Sequence, residues 1–303
     1  MCKLIVCILL LCVPFLNSLS AQELEPRRWS HVPIDANFIA AAYARTDGDI
    51  FFDPVLRIEE GTVETDSVIV SYLRSFALMG KTARFDVLMP YQHVQWQGKL
   101  NGEAASVRRE GLADPRFRLS VNFFGAPAMK GEEFKAYHAS YATNTVAGAA
   151  LAVTVPIGEY YEDKLLNLGQ NRFVIRPQLG FVHSRGPWSF ELTGSVLFYT
   201  DNSEYWGGKR LEQKPIFVLQ SHIVRTFSRG IWASVSGGYN WGGESTVDGV
   251  EKDNQKADLL WALSVGMPVS RRSSIKIAYA SGRTRKNLGS DTDNIAVAFL
   301  HRF

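Results

Sequence analysis

The last ten residues, Asn294 to Phe303, alternate strictly between two faces. One face carries Ile295, Val297, Phe299, His301 and Phe303, and the other carries Asn294, Ala296, Ala298, Leu300 and Arg302. Because successive side chains of a strand point to opposite sides, this pattern predicts a strand with one apolar face. Such a strand closes either a soluble β-sandwich or a membrane barrel, so the pattern alone leaves both architectures open.

Strand-like segments of similar length recur along the chain, and in Arg116 to Asn122, for example, every second residue is apolar. We place about twelve strands: Ile34–Arg45, Val68–Met79, Ala83–Gln97, Asp114–Phe124, Val146–Pro156, Arg172–His183, Trp188–Tyr199, Ile216–Thr226, Ile231–Trp241, Ala257–Met267, Ser274–Ser281 and Asn294–Phe303. An even number of strands is typical of bacterial outer-membrane barrels, which also end on an aromatic residue such as Phe303. Pro177 lies inside one strand, where we expect a bulge.

The lengths of the connections separate a barrel from a sandwich. Tight connections occur at Gly80–Lys81, Arg185–Pro187, Ser228–Gly230 and Ser270–Arg272, and long polar ones at Thr46–Thr62, Gly98–Gly111, Gly158–Gln170, Asp201–Pro215, Gly242–Gln255 and Gly282–Asp293. Long and short connections alternate, which predicts an all-β, antiparallel transmembrane β-barrel with short periplasmic turns and long external loops. The exception is Gly125–Thr145, in which Glu132–Tyr137 favours a short periplasmic helix.

The N-terminus predicts export. Lys3 is followed by the apolar core Leu4–Leu16 and by small residues in Asn17–Ala21, which is typical of a secretory signal peptide. All three cysteines fall inside this segment, so we expect a mature protein without a thiol or a disulfide. No later apolar run reaches the roughly 18 residues of a spanning helix.

These observations divide the chain into three parts. Residues 1–21 are expected to be the signal peptide, residues 22–33 a periplasmic N-terminal lead, and residues 34–303 the barrel. The expected location is the outer membrane of a Gram-negative bacterium.

Motifs of enzymes and cofactor proteins are absent from the sequence. It contains no Gly-x-Ser-x-Gly elbow, no phosphate-binding glycine loop and no His-Glu-x-x-His, and its six histidines are scattered. We therefore expect no catalytic residue, no cofactor and no metal site. The formal net charge of +3 is too small to indicate a nucleic-acid partner. A barrel-embedded hydrolase stays open as an alternative, with Ser221 and His222 as its best candidates, although neighbours on a strand point to opposite faces.

Polar side chains on the predicted inner face are the candidate lumen lining. They are Arg116, Arg118, Arg172, Arg176, Gln178, Glu191, Gln220, His222, Asp258, Lys276 and Arg302. This set has a basic excess, which favours an electropositive pore for anions or aromatic acids. The alternative is that the charges brace a barrel interior that must be polar in any case.

One external loop mixes carboxylates, aromatic residues and flexible glycines. Its candidate gating residues are Asp201, Glu204, Tyr205, Trp206, Lys209 and Arg210. Either this loop folds inward and gates the mouth, or its aromatic residues belong to the belt at the membrane interface.

Several motifs resemble a bacterial family named for the meta-pathway of phenol degradation and often simply called transporters. They are Leu166–Arg172, Pro177–Gly180, Gly186–Trp188, Arg84–Tyr91, Gly111–Arg116, Phe198–Asn202, Thr246–Val250 and Ser270–Ser274, and they cover most of the mature chain. The resemblance implies an outer-membrane barrel associated with the breakdown of aromatic compounds. It brings no catalytic residues.

The expected function is passive passage of small molecules, with aromatic or hydrophobic compounds or organic acids favoured. The expected partners are outer-membrane lipid, a small-molecule substrate and the barrel assembly machinery, which would recognise the last strand ending in Phe303. The first alternative is a structural or adhesive barrel with a plugged lumen.

Overall fold

The computed structural model describes residues 24–53, 56–140, 143–228 and 230–303. The expected signal peptide therefore lies outside the described residues. The described chain forms one closed antiparallel barrel, a small second sheet and one helix.

The barrel wall has twelve strand positions, as the sequence predicts. Its strands are β1 (Asn37–Phe51), β2 (Ile58–Leu78), β3 (Lys81–Leu100), β4 (Glu103–Leu112) and β5 (Arg116–Phe124) sharing one position, β6 (Thr143–Thr154), β7 (Val174–Arg185), β8 (Trp188–Tyr199), β11 (Ile216–Thr226), β12 (Trp232–Gly242), β15 (Lys256–Pro268), β16 (Ser273–Thr284) and β17 (Gly289–Arg302). The small sheet is formed by β9 (Asn202–Tyr205), β10 (Lys209–Gln213), β13 (Ser245–Val247) and β14 (Val250–Glu251).

The last strand closes the ring against the first. β17 pairs with β1 from Arg302 opposite Phe38 to Gly289 opposite Phe51, and the backbone N–H of Phe303 donates to the Asn37 carbonyl at 3.1 Å. Closure pairs every described strand of the wall except β4 on both sides, which lipid requires because it offers no hydrogen-bond partner. Recognition of Phe303 by the assembly machinery stays a prediction.

The outer face of the wall is a band of exposed apolar side chains. Along β15 they include Leu259, Trp261, Leu263 and Val265, which alternate with buried inward residues. At the long-loop end, tyrosine hydroxyls on the outer face donate to carboxylates: Tyr91 to Glu110 at 3.0 Å and Tyr279 to Asp293 at 2.7 Å. Aromatic rings with wet polar tips are typical of the membrane interface. Among the described residues, no helix has the length and apolar content needed to cross a bilayer.

Several stretches that the sequence indicates as loops are strands. β1 runs on to Phe51 and β2 begins at Ile58, and β3 and β4 form a hairpin beyond the interface tyrosines, with its turn at Asn101–Gly102. These extensions carry charged residues on a face that no longer meets lipid. Their polar side chains therefore indicate a loop in the sequence, even though the backbone hydrogen bonds between the strands continue.

At the short-turn end, helix α1 (Gly131–Ser140) occupies the connection between β5 and β6, as the sequence predicts. The prediction of a bulge at Pro177 is wrong. β7 pairs Ile175 with Phe198 and Gln178 with Ser195, so equal numbers of residues lie between these pairs and none is extra. The ladder is simply interrupted at Pro177, because proline has no N–H to donate.

Candidate functional site

The N-terminal residues Leu24–Pro33, here called the lumen segment, lie inside the barrel. Trp29 is completely buried, and its indole N–H donates to the Thr193 hydroxyl at 2.9 Å. Its ring lies against Gly148 and Gly180 on adjacent strands, where a Cβ atom on either glycine would overlap the ring. Two glycines side by side on β6 and β7 thus make room for one tryptophan.

Glu25 connects the lumen segment to the wall by ion pairs. Its carboxylate lies 2.8 Å from Arg118 and 3.2 Å from Arg116, and Arg118 also pairs with Asp86 at 2.6 Å. Arg28 of the segment lies 3.4 Å from the same carboxylate. Charges buried together in this way need their partners, because an isolated charge is costly to desolvate.

Two further contacts hold the segment on its other side. The backbone N–H of Arg27 donates to the Glu191 carboxylate at 2.7 Å. The Arg27 guanidinium lies over the Trp232 ring, 5.4 Å from its centroid, and that ring covers Gly266. This explains why Trp232 breaks the apolar pattern of its strand, since it faces the lumen.

The base of the lumen segment rests on α1. The Nε2–H of His31 donates a hydrogen bond to the Pro127 carbonyl at 2.8 Å. Its ring contacts Phe134, Tyr137 and His138 at centroid distances of 4.9, 5.5 and 5.1 Å. Burial lowers the pKa of His31 to about 4. The imidazole is therefore neutral at pH 7.

The placement of the lumen segment differs from the expectation of a periplasmic lead over residues 22–33. Its described part, from Leu24, contacts the inner wall. Sequence reasoning missed this placement because the alternation of the strands does not extend to the segment. A signal was present, however: Glu25 to Trp29 mixes charge with a large aromatic ring directly after the predicted signal peptide, and two of the predicted strands contain a glycine, Gly148 and Gly180.

The other side of the lumen contains a cavity. A cavity of about 380 Å³ follows the inner faces of β1, β2, β3, β15, β16 and β17. Its lining is mostly small or apolar and includes Ala44, Leu88, Leu260, Ala262, Ala278 and Ala296, with Leu24 of the segment at its boundary. Alanine side chains are too short to fill this side of the barrel, and the cavity that they border is here called the alanine lane. Among the described residues, the charged side chains that line the alanine lane are Asp114, Arg116 and Lys276.

The 155–173 connection folds over the mouth of the lumen. The Asp114 carboxylate accepts from the backbone N–H groups of Gly158 at 2.9 Å and Gln170 at 2.7 Å, which fixes both sides of this loop. Leu168 packs into a cluster with Trp96 and further apolar residues of the rim. The loop is therefore anchored at the connection between β4 and β5, and its residues Asn167, Leu168 and Gln170 line the alanine lane.

The candidate gating residues lie in the small sheet. Tyr205 is buried with Leu211 and Val247, whereas Asp201, Glu204 and Arg210 are exposed. Arg210 forms an ion pair with Asp201. The Lys209 ammonium lies 4.8 Å from the centroid of the Trp206 ring. Tyr160 donates to the Glu204 carbonyl at 3.1 Å, so the sheet and the 155–173 loop are joined. Together they form a roof at the long-loop end of the barrel.

Two predicted lumen arginines lie below this roof. Arg172 is buried, donates to Gln213 at 2.5 Å and lies over the Tyr199 ring at 4.4 Å. Arg176 donates to Ser195 at 3.1 Å. Both face the inner side of the wall, but neither lines the alanine lane.

The other predicted lumen residues are distributed around the ring. Gln178, Gln220, His222 and Asp258 are buried on inward faces, Lys276 is half-buried, and Arg302 is exposed at the short-turn end. Arg302 shares the strand phase of the inward residue Ala296 but lies at the exposed end of β17, and the predicted set does not form one site. Arg28 and Arg84, which are buried, were missed.

No cluster of three or more histidine, cysteine, aspartate or glutamate side chains suited to a metal ion occurs among the described residues. Ser221 is exposed on the outer face while His222 is buried and lies 2.8 Å from the Ser236 hydroxyl. The two residues that the sequence offers for a hydrolase are thus on opposite sides of the wall.

The chain is similar in structure to outer-membrane barrels. The COG4313 outer membrane channel from Pseudomonas putida F1 gives a TM-score of 0.78 at 19% identity, over 93% of this chain and 100% of that chain. The transport unit of the autotransporter AIDA-I from Escherichia coli gives 0.55 at 12% identity, over 95% of each chain. No curated protein matches the chain. The family resemblance found in the sequence is confirmed: the family model described as "Putative MetA-pathway of phenol degradation" matches residues 50–296, and the chain belongs to this family.

Proposed function

We propose that the protein is a passive outer-membrane channel for small apolar molecules, above all monocyclic aromatic compounds, and that the alanine lane is their route. The observation that carries this proposal is the division of the lumen into a charged half filled by the lumen segment and an apolar half that is open. Export with a cleaved signal peptide belongs to the same proposal.

The lining of the lane favours apolar solutes over anions. Arg116 and Arg118, which the sequence suggests as an anion-selective lining, are paired with Glu25, so much of their charge is neutralised within the protein. The lane itself presents mainly apolar side chains, among them alanines and leucines, interspersed with eight hydroxyl and four amide groups. Its apolar part costs an apolar solute little, and an anion meets only two cationic side chains along it, Arg116 and Lys276.

The comparisons support the same substrate class. The description of the family names phenol degradation, and the neighbour from Pseudomonas putida F1 is described as a channel. A channel that brings aromatic compounds across the outer membrane would supply such a pathway.

Uptake by cells tests this proposal. Cells that lack their general porins would express the full chain, and the entry of radiolabelled phenol would be measured at low external concentration. Ala262→Trp places a large ring in the lane, and we expect it to reduce uptake to the level of cells without the protein. The matched control is Leu263→Trp, one residue along β15 on the lipid-facing side, which we expect to retain full uptake. Equal uptake by cells with and without the protein would contradict the proposal.

The second candidate is a structural barrel whose lumen is plugged, and the lumen segment favours it. In that case neither tryptophan variant changes uptake, because no solute passes. The same experiment therefore separates the two functions.

A further inference from the structure

A second cavity of about 210 Å³ lies at the long-loop end of the barrel, beyond the interface tyrosines. It is bordered by the β3–β4 hairpin on one side and by the 155–173 loop on the other. The described side chains that form its apolar wall include Phe52, Ile58, Trp96, Leu100, Val107 and Leu166. We call this cavity the mouth chamber.

Trp96 connects the mouth chamber to the alanine lane, because its side chain lines both cavities. It is only 5% exposed, yet its indole Nε1 has no hydrogen-bond partner among the described residues. A buried donor without a partner raises the free energy of the folded state, and Trp side chains in apolar surroundings usually find one. A guest with an acceptor oxygen would supply the missing partner.

The cationic side chains at the chamber already have partners. Lys99 lies 2.5 Å from Glu60, Lys164 pairs with Asp163, and the Arg109 guanidinium donates to the Leu166 carbonyl at 3.3 Å. A carboxylate guest would have to displace these contacts. The chamber therefore fits a neutral molecule better than an organic acid.

The volume matches a single substituted ring. An engineered protein cavity of about 150 Å³ with leucine, isoleucine and phenylalanine walls stays dry and binds benzene. At about 210 Å³, the mouth chamber has room for a benzene ring with one or two small substituents.

We infer that the mouth chamber is a binding site for neutral monocyclic aromatic molecules that carry one hydrogen-bond acceptor, and that the Trp96 indole N–H donates a hydrogen bond to this acceptor. The molecule would bind here before it enters the alanine lane. The place of the chamber in transport rests on the proposed function, whereas binding itself is independent of it.

Binding is measured by fluorine NMR on the full mature chain in lipid nanodiscs, with empty nanodiscs subtracted. The probes are 4-fluorophenol and fluorobenzene, which share the ring but differ in the hydroxyl group. We expect 4-fluorophenol to bind more tightly. Trp96→Phe keeps an aromatic ring but removes the N–H, and it should weaken 4-fluorophenol roughly threefold to tenfold while leaving fluorobenzene unchanged.

Val107→Trp places a large ring in the chamber from β4, where Val107 pairs with Trp96 of β3 across the hairpin. We expect it to abolish binding of both probes, while Arg108→Trp, on the opposite face of the same strand, retains binding. Unchanged binding in Val107→Trp would overturn the inference, and equal weakening of both probes in Trp96→Phe would exclude the indole N–H as the donor.

The proposed function fails separately from this inference. Ala262→Trp should block uptake and leave probe binding intact. If the unmodified protein binds the probes but mediates no uptake, the proposed channel function is wrong and the binding site stands. If it mediates uptake but does not bind the probes in the chamber, the binding site is wrong and the channel function stands.

Discussion

The carboxylate of Glu25 and the guanidinium of Arg118 lie 2.8 Å apart, and this ion pair joins the N-terminal segment to the wall of the barrel. The same guanidinium reaches Asp86 at 2.6 Å, and Glu25 also reaches Arg116. The charged side chains of this half therefore bind the chain's own N-terminal segment. In the proposed channel, a passing solute would meet the other side of the lumen.

Glu25→Gln should loosen the lumen segment. The change removes the negative charge that faces Arg116 and Arg118, and losing one partner of a buried pair typically costs about 3–5 kcal/mol, an upper bound here because Glu25 is partly exposed. The readout is the mobility of a spin label at Leu24→Cys, in a chain that begins at Gln22, after the predicted signal peptide, and has no other cysteine. We expect mobility to rise. Glu132→Gln is the control, since it breaks an exposed pair with Lys135 on α1, and an equal rise in both variants would contradict this account.

Gly180→Ala should displace Trp29. The added methyl group would overlap the indole ring, whose burial contributes several kcal/mol, so the ring has to leave its site between β6 and β7. Gly194→Ala on β8 adds the same methyl where no heavy atom lies within 4 Å. We expect the first variant to lower the thermal midpoint and shift Trp fluorescence to longer wavelength. Similar spectra for both variants would show that Trp29 lies elsewhere.

Acid should weaken the base of the lumen segment. The pKa of His31 is lowered from 6.5 to about 4, so the packed state favours the neutral ring. This contribution is complete above pH 6.5 and is lost as the pH falls toward 4. His138, which contacts the ring, also has its pKa lowered by burial and adds in the same direction. The spin label at Leu24→Cys should therefore become mobile between pH 6.5 and 4.

His31→Phe is the control for this acid effect, because it keeps an aromatic ring against α1 without a titratable group. Its pH response should be much smaller. If the two proteins respond alike over this pH range, His31 is not the group responsible.

Asp114→Asn should release one side of the 155–173 loop. The carboxylate accepts two backbone N–H groups through its two oxygens, and an asparagine side chain offers only one acceptor oxygen. We expect protease cleavage within residues 159–168 to become faster, measured by mass spectrometry of the fragments. Asp163→Asn alters an exposed side chain of the same loop and should leave the cleavage rate unchanged. Faster cleavage in both variants would contradict an anchoring role for Asp114.

Sequence alternation predicted the wall because a strand in lipid has little freedom. Phe299 and Ile295 have to face lipid while Ala296 faces the lumen, so the pattern is determined by one periodic constraint. The same constraint assigned Arg118, Glu191 and Asp258 to the inner face. Outside the lipid it no longer applies, and the hairpin of β3 and β4 was therefore interpreted as a loop.

The contents of the lumen could not be predicted in this way. Trp29 is positioned by Gly148 and Gly180, which lie 119 and 151 residues further along the chain. Glu25 is positioned by Arg118. No local sequence pattern indicates such contacts. The alanine lane was missed for a related reason. Ala44, Ala262 and Ala296 are unremarkable on their own strands, and only the closed ring brings them to one side.

Single-channel conductance in a planar bilayer tests the central claim most directly, since ions must use whichever half of the lumen is open. The unmodified protein, Ala262→Trp and the control Leu263→Trp would be recorded in the same salt. We predict a small steady conductance that Ala262→Trp reduces to near the baseline and that Leu263→Trp leaves unchanged. An unaltered conductance in Ala262→Trp would contradict the account, because the open route would then lie outside the alanine lane.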